Sequence, residues 1–172
     1  MTDRATAALR ATAHPLRLQI LSLLTGASMS AAELARELGT TQANASYHLR
    51  VLADAGEVVA DGEESVRGGV AKKYRHPWQE LSQDSTRPSS DMDQHVRAMG
   101  KELARRWAAK RPKTKAVVTD AEMWVTPETW KRVFDLLKEA SMLVHAEALV
   151  PHSEGSVHVN VQVGAFQMQD KS

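Results

Sequence analysis

Apolar residues recur at helical spacing near the start of the chain. Positions 16, 20, 23 and 24 carry leucine or isoleucine, which places these side chains on one face of a helix. Pro15 suits the first turn because its missing N–H has no helical partner there, and Gly26 suits the end. The pattern therefore predicts a helix over residues 15–26.

Two shorter helices are predicted next. Ser30 and Glu33 have the spacing of a capping box, in which each side chain accepts a hydrogen bond from the other residue's backbone N–H. Thr40 or Thr41 then caps a further helix that runs to about Ala55. The two helices are joined by only a few residues, so a tight turn must connect them.

A hairpin is predicted after the third helix. Residues 57–60 and 70–75 are strand-like, and the stretch from Asp61 to Gly69 between them is polar and rich in glycine. The sequence thus predicts a hairpin with a long tip. Two helices joined by a tight turn and followed by a hairpin are the parts of a winged helix-turn-helix.

A linker and a long helix are predicted after the hairpin. Residues 82–91 lack any large apolar side chain, and a helix follows from about Asp91 to Lys110. Its apolar residues form one continuous stripe, which predicts a packing surface. The partner is either the same helix of a second protomer or the C-terminal part of the same chain. The stripe consists of Met92, Val96, Met99, Leu103 and Trp107.

The C-terminal pattern predicts strand, helix and strand. Residues 116–125 are strand-like, and Thr126, Pro127 and Glu128 supply a cap, a first-turn proline and a favourable acid for a helix. Residues 157–163 alternate valine with polar residues, as a half-buried strand does. We expect a small unit with its helix against a sheet, whose strands pair within one chain or across a dimer.

These elements predict an α+β chain in three parts. Residues 1–80 form the winged helix-turn-helix, residues 81–90 a linker, and residues 91–172 a dimerisation helix with a small strand-helix-strand unit. The balance of charge changes after residue 80 and again after residue 115. Residues 1–80 hold 9 basic and 9 acidic side chains, residues 81–115 hold 9 and 4, and residues 116–172 hold 4 and 8.

Composition excludes several classes of chemistry. The 172 residues include no cysteine, so disulfides, thiolate nucleophiles and thiolate-bound metals are excluded. No apolar run reaches the length of a membrane span, and the N-terminal residues lack the apolar core of a signal peptide. We expect a cytoplasmic protein with no membrane partner and no cofactor.

The predicted helix at 41–55 has an outward face suited to a DNA groove. Ala45, Leu49 and Leu52 share one face, so the opposite face is small or polar and can reach base edges. The predicted base contacts are Gln42, Ala43, Asn44, Ser46 and Tyr47. The predicted backbone contacts, including a wing at 61–75, are Ser30, Thr40, Thr41, His48, Arg50, Arg67, Lys72, Lys73 and Arg75.

Three segments resemble one family of regulators. HPLRLQILSLL at 14–24, SAAELARELGTTQANASYHLRVLADAGEV at 30–58 and GGVAKKYRH at 68–76 are similar to ArsR/SmtB-type winged-helix transcriptional regulators. The resemblance covers roughly residues 10–78. It implies a homodimer that binds a partly palindromic operator in double-stranded DNA, represses transcription, and is released by an effector of unknown identity.

The metal sites of that family are not predicted here. The cysteines of one site are absent, and Asp93 and His95 supply only the first half of the other, since residues 103–111 hold no His or Glu. The histidines at 145, 152 and 158 lack tight spacing. Trp124, Trp130, Phe134 and Met168 are either core residues or the lining of an effector pocket. We predict no metal.

Two other functions remain open at this point. Zero net charge over residues 1–80, with Asp61, Glu63 and Glu64 beside the wing, favours a winged helix that binds protein instead of DNA. An enzyme would need His145, Glu147 or His158 as acid–base groups, but no nucleophile, phosphate loop or carboxylate pair accompanies them. Because the outward face of the helix at 41–55 and the wing fit together on DNA, the leading prediction is a DNA-binding regulator that catalyses no reaction.

Overall fold

A computed structural model describes residues 2–66, 69–81 and 89–169. One three-stranded sheet and the helices around it make an α+β fold with a winged helix-turn-helix at its N-terminal end, as predicted. In chain order the elements are α1 (Thr2–Thr12), α2 (Pro15–Gly26), β1 (Met29–Ser30), α3 (Ala31–Glu37), α4 (Gln42–Asp54), β2 (Val59–Val66), β3 (Gly69–Arg75), α5 (Trp78–Leu81), α6 (Ser89–Ala108) and α7 (Pro127–Ala146).

The predicted caps start helices α3, α4 and α7. The Ser30 hydroxyl accepts from the Glu33 N–H at 3.4 Å, and the Glu33 carboxylate accepts from the Ser30 N–H at 2.7 Å, which completes the capping box. Thr41 caps α4 by accepting from the Asn44 N–H at 3.1 Å. Thr126 caps α7, whose first turn contains the predicted proline.

The hairpin is more regular than the sequence suggests. The hairpin consists of β2 and β3, and β1 adds a third strand, so that the sheet has the order β1-β3-β2 with both pairs antiparallel. The predicted long tip is wrong because β2 runs on to Val66 and pairs with β3, with Glu63 opposite Lys72 and Val66 opposite Gly69. The side chains of residues 60–66 are exposed, so no apolar alternation marks this part of the strand.

The core lies between α2, α3, α4 and the sheet. Leu34 and Leu52 are completely buried there, and the predicted inward face of α4 is confirmed. The described cluster consists of Ala11, Ile20, Leu21, Leu24, Met29, Leu34, Ala35, Ala45, Leu49, Leu52 and Val58. Since α4 packs on α1, α2 and α3, its outward face is held in a fixed orientation.

Helix α6 packs on α1 and α2 through a face that the stripe prediction did not include. Ala98 and Glu102 are buried in this contact, and the Thr12 hydroxyl lies 2.9 Å from His95 Nδ1. Val96, Leu103 and Trp107 of the predicted stripe stay about half exposed. Packing within the chain therefore leaves much of the stripe uncovered.

The two C-terminal strands are not formed in this chain. Residues 116–125 and 157–163 are assigned to no helix or strand, although α7 between them was predicted correctly. A strand needs a neighbouring strand, and within the described residues no backbone hydrogen bond joins either segment to another one. The predicted strand-helix-strand unit is therefore wrong for the single chain.

The segment after α7 returns to the N-terminal part of the chain. Gly26 makes room for it, because a Cβ atom at this position would lie 2.6 Å from the carbonyl oxygen of Leu149. His152 Nε2 lies 2.9 Å from Glu37 Oε1, so the segment also reaches the end of α3. Residues 82–88, most of the predicted linker, lie outside the described residues. No described helix has the length and apolarity to span a membrane.

Candidate nucleic-acid interface

The outward face of α4 presents the predicted combination of small and polar side chains. Gln42 and Ala43 are exposed in its first turn, Tyr47 is 55% exposed one turn later, and Arg50 is exposed after that. Asn44 and Ser46 flank this row and are partly buried. A helix with such a face, held on the side opposite a packed core, has the form that enters a major groove.

Two threonines order the start of this face. Thr41 is exposed and caps α4, and the Asn44 side-chain amide donates to the Thr40 hydroxyl at 2.9 Å. The Asn44 amide therefore has one donor engaged within the chain, and its second N–H and its carbonyl oxygen are left for a base edge. The fixed rotamer reduces the conformational entropy that Asn44 loses on binding DNA.

Two predicted backbone contacts are wrong because the structure buries them. Ser30 is 5% exposed, since its hydroxyl and N–H form the capping box of α3. His48 is 6% exposed, and its ring packs against His14 with 4.7 Å between the ring centroids. His48 lies beside buried Leu49 on α4. This side of the helix faces α1 and α2 instead of solvent.

The two histidines share an environment that opposes protonation. Burial lowers the pKa of both imidazoles, the Arg17 guanidinium lowers both further, and His14 adds to the effect on His48. The Nδ1 atom of His48 has no hydrogen-bond partner among the described residues. His14 Nδ1 accepts from the Leu16 N–H at 3.2 Å, which requires a neutral ring. Both rings are therefore neutral in the folded protein near pH 7.

We expect the fold to lose stability as the pH falls below the ordinary histidine value. A pKa that is lower in the folded state than in the unfolded state means that unfolding takes up protons between the two values. The free energy of unfolding should therefore fall from about pH 6.5 downward, measured by urea unfolding at a series of pH values. The variant His48→Leu should lose less stability over this range. An equal loss in both proteins would contradict the assignment.

The cations of the wing are largely paired with carboxylates. Lys73 Nζ lies 3.0 Å from Glu64 and 3.6 Å from Glu33, and Arg75 Nε lies 3.6 Å from Asp61. The hydrogen bond to Glu64, followed by the charges of both carboxylates, raises the pKa of Lys73. The acidic residues beside the wing, together with Glu33, thus neutralise Lys73 and Arg75, which the sequence alone did not reveal.

Two predicted cations remain available to a phosphate. Arg50 and Lys72 are exposed and form no ion pair within the described part of the chain. The Lys72 ammonium lies 5.6 Å from the centre of the Tyr74 ring, which keeps it on the surface of β3. The predicted contact at Arg67 lies outside the described residues.

The other candidate sites do not assemble. Trp124 is 87% exposed and Met168 is also exposed, so the predicted effector pocket is not enclosed in this chain. The rings of Trp130 and Phe134 lie 6.0 Å apart on α7. His145 Nδ1 is 2.7 Å from a carbonyl of its own helix, and no described hydrogen bond joins it to Glu147 or His158.

Comparison with known families agrees with the geometry of α2, α3 and α4. Residues 12–56 match a family described as a helix-turn-helix domain. The chain carries a helix-turn-helix domain. The match spans about the quarter of the chain that holds the outward face of α4, and it indicates a DNA-binding regulator. No curated protein matches this chain.

Proposed function

We propose that the protein is a homodimeric transcriptional repressor of the ArsR/SmtB type that binds a partly palindromic operator in double-stranded DNA. Helix α4 reads base edges in the major groove, the β2–β3 wing lies along the backbone, and the protein catalyses no reaction. The observation that carries the proposal is the exposed polar row of α4 from Gln42 to Arg50, backed by buried Ala45, Leu49 and Leu52.

A dimer is proposed because a palindromic operator has two half-sites, and each half-site binds one helix-turn-helix unit. Two helix-turn-helix units read half-sites about 34–36 Å apart, so a second copy must hold the second α4. The half-exposed stripe of α6 supports this assignment, because Val96, Leu103 and Trp107 stay uncovered while a neighbouring face packs on α1 and α2. In this proposal residues 1–80 bind DNA and residues 91–172 hold the dimer.

A salt-dependent titration tests the proposal. Purified full-length protein is titrated against its own promoter region and against a scrambled duplex of equal length, at several salt concentrations. Tighter binding to the promoter supports sequence-specific reading, and a steep salt slope supports phosphate contacts. Equal and feeble binding to both duplexes would reject sequence-specific DNA binding.

Replacing Arg50 with alanine should weaken binding to every duplex by the same factor. Arg50 is the exposed cation at the end of the reading face, so its loss removes one phosphate contact. The slope of log K against log salt should become shallower by about 0.9. Arg132→Ala on α7 is the matched control, since Arg132 is also exposed, and should leave the slope unchanged. If the substitution weakened binding to the promoter and left binding to the scrambled duplex unchanged, Arg50 would instead be a base contact.

The ion pairs of the wing favour a second candidate function, a protein-binding winged helix. Two of the three described wing cations, Lys73 and Arg75, already face carboxylates, which lowers the positive charge offered to DNA. The promoter titration separates the two functions, because a protein-binding module has no preference for any duplex.

Replacing Glu64 with glutamine should strengthen DNA binding. The substitution removes the closest carboxylate from Lys73 and frees its ammonium for a phosphate, so the salt slope should steepen by up to about 0.9. Glu63→Gln is the matched control: it removes the same charge from the same strand, and Glu63 forms no described ion pair with Lys73. Equal gains in both variants would show that net charge, and not the Lys73 pair, decides affinity.

A further inference from the structure

The C-terminal part of the chain exposes far more apolar surface than the rest. No described residue from 103 to 169 is buried, and α7 has no buried residue over its 20 positions. Val118 and Trp124 are 76% and 87% exposed before α7, and Val157, Val159 and Val161 are exposed after it. Monomeric proteins rarely leave connected apolar surface of this extent in water.

The alternating segment at 157–163 has its polar face against α6. The Gln162 amide donates to the Met99 carbonyl at 2.9 Å, and Arg106 donates to Asn160 Oδ1 at 3.0 Å. Because side chains alternate along an extended chain, the valines at 157, 159, 161 and 163 are directed away from α6. A half-buried strand normally does the reverse, so the valine row is placed for a partner outside the chain.

The backbone of these segments also lacks a partner. Within the described residues, no backbone hydrogen bond joins 116–125 or 157–163 to another segment. The chain's own sheet is completed by β1, β3 and β2 in the N-terminal part. An extended segment with one apolar face and free backbone groups forms a strand when a second strand lies beside it.

A second copy of the chain fits this surface better than another partner. The segment that carries the valine row is held on α6 by Gln162, and the half-exposed stripe of α6 is the proposed dimer contact, so one interface between two copies can cover both surfaces. The charges also match, because residues 81–115 carry 9 basic and 4 acidic side chains, and residues 116–172 carry 4 and 8. In a two-fold dimer the net positive residues 89–115 of each copy can face the net negative residues 116–169 of the other copy.

We propose that residues 109–169, the C-terminal arm, form an intersubunit sheet with a second copy. Residues 116–125 and 157–163 become strands only in the dimer, each with a partner from the other copy. The valine row and the apolar face of α7 are covered there. The inference deepens the proposed dimer, and it requires no DNA.

Sedimentation of the full chain without DNA tests the interface. Wild type should be dimeric, and Val159→Asp should weaken the dimer roughly 100-fold or more, since two unpaired charges enter the interface. His158→Asp is the matched control, because it adds the same charge to the polar side of the same segment and should leave the dimer intact. Leu103→Asp reports separately on the α6 stripe.

Amide hydrogen exchange of the wild-type protein tests the same interface without any substitution, so it does not depend on whether a variant folds. In wild type, the amides of 116–125 and 157–163 should exchange at least about tenfold more slowly at protein concentrations that favour the dimer than after dilution. Protection that is independent of concentration, or absent throughout, would overturn the proposal.

The possible failures are distinguishable. A wild-type dimer that Leu103→Asp dissociates and Val159→Asp does not would overturn the arm and leave the α6 dimer standing. A wild-type monomer at every concentration would overturn both. The first result does not bear on DNA binding by α4, which the promoter titration measures separately. The second result would also contradict the proposed reading of a palindromic operator by a dimer.

Discussion

Replacing Glu102 with alanine should lower the free energy of unfolding by about 2–4 kcal/mol. The Glu102 side chain is only 1% exposed where α6 packs on α2. Its carboxylate accepts from Gln19 Nε2 at 2.8 Å, from Arg105 Nη2 at 2.9 Å and from Arg106 Nε at 3.2 Å. Alanine removes these hydrogen bonds to a charged acceptor and leaves space between the two helices.

The carboxylate of Glu102 is ionised despite its burial. Burial alone would raise its pKa, but the hydrogen bonds from Arg105 and Gln19 and the charges of Arg105 and Arg106 outweigh this effect and lower the pKa. Stability from this group is therefore present above the ordinary pKa of glutamate and is lost as pH falls through the lower, folded value. This window lies below the one expected for His14 and His48.

The variant Glu102→Gln separates charge from volume. It keeps the size of the side chain and one acceptor for Gln19, so it should cost less than alanine at pH 7 and weaken the acid dependence below about pH 4.5. Urea unfolding at pH 7 and between pH 5 and pH 3 measures both effects. Asp93→Ala on the exposed side of α6 should change neither. If Glu102→Ala cost no more than Asp93→Ala, α6 would not be fixed on α2 by this carboxylate.

The helix starts were predictable because their causes are local. The hydroxyls of Ser30, Thr41 and Thr126 satisfy backbone N–H groups within three residues, and that spacing is visible in the chain. The inward face of α4 was predictable for the same reason, since Ala45 and Leu49 lie one turn apart. These features identify which side of α4 faces outward, whereas packing on α1, α2 and α3 holds that side in place.

The errors arose where a residue's partner is distant in sequence. Gln19, which lies 83 residues earlier, donates a hydrogen bond to the carboxylate of buried Glu102. No pattern of apolar residues in the sequence predicts such a contact. His48 was assigned to DNA because helical periodicity places it on a flank, whereas its burial depends on His14. Helices α1 and α5 were not predicted. The extent of β2 was hidden because its side chains are exposed on both faces.

Replacing Leu49 with alanine should destabilise the winged helix-turn-helix by about 2–5 kcal/mol. Leu49 is 2% exposed on the face of α4 opposite the proposed DNA contacts, and its removal leaves a cavity in the core around α2 and α3. DNA binding should fall only through loss of folded protein. At temperatures where the variant is folded, its salt slope should equal that of wild type, because no phosphate contact changes.

Leu103→Ala on α6 is the matched control, with the same chemical change at a half-exposed site of the stripe. Its cost should depend on protein concentration, because a side chain buried only in the dimer stabilises the fold by mass action. The cost of Leu49→Ala should be the same at every concentration, since its contacts lie within one chain. Thermal unfolding of both variants over a 100-fold range of protein concentration gives the comparison. A concentration-independent loss of about 2–5 kcal/mol for Leu103→Ala would place the stripe in a core of the single chain and remove it from the proposed dimer.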